Sequence, residues 1–345
     1  MHVTLQDVAK LAGVSTKTVS RVVNNQGEIS EATRQRVQAA IEQLGYRPNI
    51  LARSLVNQRS DTLAVVASGL EYYGPSHTLI GIEQQSYELG YSLFLSLLPR
   101  PNDTNVGPVL DTFIARRVEG IIWAVPEIGD NRAWIQPGLF EHLPPIVFLS
   151  MKPRPGLSVV AVDNRAGAAQ ATQHLLEQGR RKIGIITGPL TWWEARERYS
   201  GCKDALQRSD LEWSPSLVVE GDWSAASGEQ GMRKLLAQRS DVDAVFACND
   251  QMALGALGVA HQLGRRIPQD IAVVGFDNIP ESAYFWPSLT TVYQQLVDIG
   301  CMAVKMLHQL IESRRKGEQS AGPWATVLKP ELVIRASSLG VPGNT

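Results

Sequence analysis

The chain has 345 residues, too many for one ordinary core and enough for two or three domains. Its 44% hydrophobic and 19% charged residues exclude a disordered chain, and no run of 18 or more apolar residues exists to span a membrane. The net charge of -1 conceals an asymmetry, because residues 1–59 carry eight Lys/Arg against four Asp/Glu, a net +4 that leaves -5 for the remainder. A basic module on an acidic body fits a nucleic-acid head joined to a regulatory domain.

Residues 3–48 read VTLQDVAKLAGVSTKTVSRVVNNQGEISEATRQRVQAAIEQLGYRP. Thr4 and Ser15 stand just before helical runs, where hydroxyl oxygens cap free backbone N–H groups. Gly13 falls in the tight turn between the runs. Leu5, Val8, Ala9 and Ala12 recur at helical spacing, as do Val19 with Val22 or Val23, and then Val37, Ile41 and Leu44. These faces predict a three-helix core with a helix-turn-helix. The second helix then turns Thr16, Lys17, Ser20, Arg21 and Asn24 outward. Lys and Arg donate to guanine edges or phosphates, Asn pairs with adenine, and hydroxyls serve either. The coincidence of turn, caps and exposed donors predicts a DNA-reading helix instead of a merely solvated face.

TLQDVAKLAGVSTKTVSRVVNN, followed by EATRQRV and LGYRPN, closely resembles the N-terminus of the lactose-repressor (LacI/GalR) family of bacterial transcription regulators. The resemblance implies that Thr16, Lys17 and Arg21 read bases, while Ser15, Ser20 and Asn24 make backbone or edge contacts. Residues 1–48 are the expected head, and residues 49–60, NILARSLVNQRS, the expected linker. By composition that stretch is only weakly apolar, and as an isolated helix it would be marginal. The resemblance makes it a hinge helix that orders when two copies meet over the minor groove. Leu55 would then wedge into a base step with Asn49 and Ala52 nearby.

From residue 61 onward short apolar runs alternate with amphipathic stretches. Strands are expected at 63–67, 92–97, 120–124, 146–149, 158–162, 183–187, 217–219, 244–247 and 271–275. Helices are expected between them, at 79–89, 106–116, 165–178, 194–208, 227–238 and 252–263. Continuous apolar strands separated by helices mean parallel sheets covered on both faces. That many strands exceed one comfortable sheet, so two doubly wound α/β subdomains are expected. The pattern resembles the periplasmic-binding-protein type I fold of the same family. It implies an N-subdomain of about 61–162 plus 292–322 and a C-subdomain of about 163–291 plus 323–345, with a ligand cleft between them at the strands' carboxyl ends.

Candidate ligand groups lie in loops after predicted strands: Arg198, Trp223, Asn249 with Asp250, and Asp277. Each has a plain alternative. Asp250 reads as a helix cap, Trp223 as core, and Trp192 and Trp193 as solvent-facing or packed on a second copy. Together an aromatic face, an Arg, an Asn and an Asp make a polyol site, rings stacking on C–H faces and polar groups taking hydroxyls. GPL-x-x-x-x-AR, GDWSA-x-SG, NDQMALGA and P-x-LTT are similar to the family's lactose-responsive members. That similarity implies effector contacts at Arg198, Trp223, Asn249 and Asp277, joined by Gln294, Ser68 and Tyr72. Two departures stand out: Ser150 replaces an acidic residue and Trp123 lies near a polar position, so both join the expected effector set with a different sugar in view.

Cys202, Cys248 and Cys301 show no metal-ligand spacing and the six histidines are scattered, so no metal or cofactor is expected. No G-x-G-x-x-G, P-loop or G-x-S-x-G is present, and no enzyme is expected. The N-terminus opens on the head, so a cytoplasmic protein without a signal peptide is expected. The combined expectation is a homodimeric repressor released from a palindromic operator by a carbohydrate inducer, a galactoside or another disaccharide. The alternatives are a regulator of the same family that responds to a purine or another small molecule, or one that depends on a corepressor.

Overall fold

Hydroxyl side chains start the first two helices of the head. Thr4 accepts from the Asp7 N–H at 3.4 Å while Asp7 Oδ2 accepts from the Thr4 N–H at 2.9 Å, a reciprocal cap that opens α1 (Leu5–Ala12). Gly13 ends α1 at φ 64, and Ser15 accepts from the Thr18 N–H at 3.1 Å to open α2 (Thr16–Val23). Helix α3 (Glu31–Leu44) closes over both, and Val8, Ala9, Ala12, Val19, Val22, Val37, Ala40 and Tyr46 form the core. This computed structural model describes residues 3–24, 27–47, 59–136, 138–209, 211, 213–318 and 324–339. The chain divides into two units, residues 1–61 and 62–345. The expected contacts at Asn49, Ala52 and Leu55 lie outside the described residues.

In the second unit, strand parity sets the layers. On β1 (Thr62–Ala67), Leu63, Val65 and Ala67 enter one hydrophobic cluster while Ala64 and Val66 enter another. Both faces of this sheet are therefore buried, which is why its strands read as unbroken apolar runs. It has six parallel strands: β2 (Ser92–Leu97), β1, β3 (Gly120–Ala124), β4 (Ile146–Leu149), β5 (Ser158–Val162) and β11 (Ala325–Leu328), in that spatial order. Helices α4 (Tyr73–Glu88), α5 (Gly107–Ala115) and α10 (Leu296–Lys316) belong to it. Helix α4 starts six residues before its expected start, because Gly74 and Pro75 sit in a first turn whose N–H groups have no intrahelical acceptor.

The second sheet orders β7 (Val218–Glu220), β6 (Ile183–Thr187), β8 (Ala244–Ala247) and β9 (Ala272–Val274), all parallel. It carries α6 (Asn164–Glu177), α7 (Trp193–Arg208), α8 (Ala225–Gln238) and α9 (Asp250–Gln262). A short antiparallel pair, β10 (Thr291–Tyr293) with β12 (Glu331–Val333), continues it through a parallel bridge from Val274 to Thr290.

The chain thus passes between subdomains three times, after Val162, between β10 and α10, and between β11 and β12. The third crossing was expected near 321–325; instead Ala325–Leu328 pairs with Val159–Val162 in the first sheet, and the crossing falls after Leu328. The run Ala325–Leu328 is short, holds Thr326 among its apolar residues and alternates between exposed and half-buried, so it carries little of the signal that marked the other strands.

Paired helices meet at glycines. A Cβ on Gly81 of α4 would lie 1.9 Å from the Val297 carbonyl oxygen, and one on Gly300 of α10 would lie 2.2 Å from that of Thr78. Helices α8 and α9 repeat the device, Gly228 against Met252 O at 2.1 Å and Gly255 against Ala225 O at 2.0 Å.

Candidate DNA-reading face and ligand cleft

On the head, Thr16, Lys17 and Arg21 are exposed along one side of α2 while Val19 and Val22 are buried on the other. Ser20 and Asn24 are half-buried, and Asn24 Nδ2 donates to Ser20 Oγ at 3.3 Å. They sit at the edge of the face, with Asn24 also ending the helix. Ser15 is committed through its side chain to the cap. Among the described residues, Lys17 and Arg21 thus stand clear of the head's own hydrogen bonds.

The second unit holds a cleft of about 310 Å³ between its two subdomains. Seven expected residues line it: Tyr72, Ser150, Arg198, Trp223, Asn249, Asp277 and Gln294. Two do not. By strand parity Trp123 points with Ile121 into the cluster on one face of the first sheet and packs on Trp134 with ring centroids 4.6 Å apart, so it is core. Ser68 is 3% exposed and absent from the cleft wall. Its hydroxyl is enclosed just beyond β1.

Arg198 is the hub. It rises from α7, Nε donating to Asn164 Oδ1 at 2.8 Å and Nη1 to Asp277 Oδ1 at 3.3 Å and to the Cys248 carbonyl. Its guanidinium lies 3.9 Å from the centre of the Phe276 ring, a cation–π contact in a desolvated place. Gln294 Nε2 donates to the same Asp277 oxygen at 2.6 Å. Burial nevertheless pushes the Asp277 carboxyl up to about 6, against the pull of Arg198 and Gln294.

The cap of α9 is Asn249, not Asp250. Asn249 Oδ1 accepts from the Met252 N–H at 2.8 Å, and its Nδ2 donates to the Trp223 carbonyl at 2.9 Å. Asp250 is fully buried, accepting from Thr291 Oγ1 and from the Ile279 N–H at 2.8 Å. Burial first, and the nearby Asp277 second, hold its carboxyl well above the usual range. An Asn-Asp pair before a helix offers two cap candidates, and the inner one was taken by the body of the subdomain.

Aromatic rings span the cleft. Trp192 meets Tyr72 edge-on at 5.7 Å and Trp223 at 5.8 Å, so its ring belongs to the cleft wall. Gly188 makes room for Trp223, since a Cβ there would lie 2.2 Å from the indole. Trp193 is buried, its backbone N–H donating to the Glu127 carbonyl of the opposite subdomain at 2.9 Å. Tyr73, Asn164, Trp192, Trp193, Glu194 and Gln251 also line the cleft beyond the expected set. For Trp192 and Trp193 the run TWWE was the available signal, an aromatic pair at the start of a helix that follows a strand.

Backbone strain gathers here. Ser150, Trp223 and Asp277 adopt φ of 51, 75 and 114, a region that side chains other than glycine rarely enter. Such strain, about 1–3 kcal/mol per residue, persists where the surroundings hold it and clusters at ligand sites.

Residues 4–49 match the family described as "Bacterial regulatory proteins, lacI family", and residues 172–338 match "Periplasmic binding protein-like domain". The HTH-type transcriptional repressor PurR of Haemophilus influenzae (strain PittEE) is 35% identical over 335 residues, 97% of this chain and 98% of that protein. This chain belongs to the LacI family. Among solved structures, a lac repressor dimer bound to operator and the anti-inducer ONPF is 32% identical, covering 99% of this chain and 100% of that one at a TM-score of 0.88. A transcriptional regulator CelR–cellobiose complex is 33% identical over 97% of this chain and 100% of that one, at a TM-score of 0.71. This LacI-family chain is a DNA-binding transcriptional repressor with the two-subdomain α/β body of the family. No helix among its described residues is long and apolar enough to cross a membrane.

Proposed function

We propose that this regulator is a cytoplasmic homodimer that grips a pseudo-palindromic operator through Thr16, Lys17 and Arg21 and is released when a neutral carbohydrate, of disaccharide size, occupies the cleft. It works as a binding protein and not as an enzyme. The observation that carries the ligand class is the make-up of the cleft wall. Aromatic faces of Tyr72, Tyr73, Trp192 and Trp223 line a space larger than one bicyclic base fills. Polar ends of Asn249, Gln251, Asn164, Asp277 and Arg198 converge on the same space. This is the mixture a sugar needs, flat apolar faces for its C–H surfaces and paired donors and acceptors for its hydroxyls.

Charge narrows the class. The wall carries Glu71, Glu194 and Asp277 against Arg198, and Arg198 already faces Asp277. A phosphorylated ligand would meet more carboxylate than cation. The solved relative bound to cellobiose supports the same class. Curated relatives named PurR, 34–35% identical, favour the second reading, a purine-responsive or corepressor-dependent regulator.

Calorimetry with cellobiose, lactose and guanine separates the two. Disaccharide binding that lowers the affinity of the protein for DNA upstream of its own gene in a gel shift is the expected result. Tight guanine binding with no response to either disaccharide refutes the sugar reading, and hydrolysis of a bound disaccharide refutes the non-enzyme reading. An effector acts only through its difference in affinity for the two arrangements of the subdomains, so the gel shift measures that difference directly.

A further inference from the structure

Helix α7, which carries Arg198, begins without a cap of its own. The other three helices of the second sheet are opened by side chains. Asp163 accepts from the Ala166 N–H at 2.9 Å, Ser224 from that of Ser227 at 3.1 Å and Asn249 from that of Met252 at 2.8 Å. Before α7 stands Trp192, whose side chain makes no cap hydrogen bond. The Arg196 N–H donates to the Trp192 carbonyl at 3.1 Å, so the Trp193 N–H comes too early in α7 to have an acceptor within its own helix. Its acceptor is the Glu127 carbonyl at 2.9 Å, across the cleft.

That carbonyl is firmly held. The Glu127 N–H donates to the Ser150 carbonyl at 2.9 Å, and the Glu127 carboxylate accepts from the Lys152 N–H at 2.9 Å and pairs with Arg154. Two residues on, Gly129 at φ 49 donates its N–H to the Thr191 carbonyl at 2.9 Å, while Ile128 and Trp192 face each other in an antiparallel bridge. Asn131 fixes the loop from within. Its Oδ1 accepts from the Ile128 N–H at 3.1 Å, and its Nδ2 donates to the carbonyls of Pro126 at 2.8 Å and Pro101 at 2.7 Å. The loop is thus built into the N-subdomain and offers two backbone bonds to the other half. Hinge opening, the way two-lobed clefts of this kind admit a ligand, parts those bonds. Helix ends fray, and Arg198 lies less than two turns from this one.

We propose that residues 127–129 are a positioning element of the effector site. They cap α7 from the opposite subdomain, so the first turn of that helix, and Arg198 behind it, are fully ordered only in the closed cleft. The bonds join protein to protein, so the cap forms in the free repressor, whatever class of small molecule the cleft takes. Glu127 and Asn131 act through α7 and stand outside the cleft wall.

The test is hydrogen exchange of the full-length protein without ligand, resolved to single amides by fragmentation in the mass spectrometer. In wild type the Gly129 and Trp193 amides are expected to be protected. Asn131→Ala, which removes the support of the loop, is expected to speed both by at least about tenfold, the scale of one hydrogen bond lost. The Arg198 amide, in the other subdomain, follows them, while the amides of β6 keep their wild-type rates. Glu127→Gln keeps an acceptor for Lys152 but loses the charge that pairs with Arg154; it gives a smaller rise at the same amides and decides the matter if Asn131→Ala fails to fold. A Trp193 amide that exchanges unprotected in wild type overturns the assignment. So does a rise at Gly129 with Trp193 and Arg198 unchanged, or one in which β6 rises in step.

Discussion

Arg21 stands exposed on α2, four residues from Lys17 on the same side, with its backbone held by the Ser15 cap and the Val19–Val22 face. Arg21→Ala is expected to weaken operator binding by about 1–3 kcal/mol and to relax base preference at the position it contacts. A gel-shift titration on wild-type and single-base-substituted operators checks both. In the cleft, a folded-state carboxyl raised by burial works against the charged form. Glu194, raised from 4.5 to about 7, therefore contributes stability that is present below its ordinary value and is lost as pH rises through about 7. Unliganded wild type should melt lower at pH 8 than at pH 5.5, and Glu194→Gln should flatten that difference; an equal pH dependence in the variant counts against the buried carboxyl as its source. The caps, Arg198, Asn249 and Asp277 were legible because each sits at a fixed offset from a strand end or a helix start. Glu194 was not, since its burial depends on a wall built from distant sequence. Trp123 was misread for a related reason: proximity to a strand's end says nothing about which face the side chain takes.

At the scale of elements, the helix pairs approach so closely that glycine is the residue at the contact. Gly255→Ala would press a methyl against the Ala225 carbonyl at 2.0 Å and the Glu229 nitrogen at 2.5 Å, both backbone. Backbone cannot swing aside as a side chain does, so a loss of about 1–3 kcal/mol is expected, read as a lower denaturant midpoint of the body. Buried parallel strands were easy to find, because both faces are apolar and the runs are unbroken. The strands β10, β11 and β12 were the hard ones: three, four and three residues long, partly exposed, and defined by partners far away. The start of α4 was obscured by Gly74 and Pro75, residues that break a helix interior but are tolerated in its first turn.

For the whole molecule, the proposed repression couples a head to a cleft through residues 49–60. Leu55→Ala is expected to lower operator affinity while leaving disaccharide affinity unchanged, measured by gel shift and calorimetry on the same preparation; equal operator affinity would make the linker a plain tether. The three passages of chain between the subdomains carry a consequence for biosynthesis. The head is a continuous stretch and can fold once its three helices have left the ribosome. Neither half of the body can follow suit. The first sheet lacks its β11 edge until residue 328 has been made, and β10 lacks its partner β12 until residue 333 has followed. A nascent chain therefore carries a finished DNA-reading head ahead of an unfinished body for most of its synthesis. Residues 325–333 complete both halves together, so a premature stop just short of β11 would leave a head with no regulated body behind it.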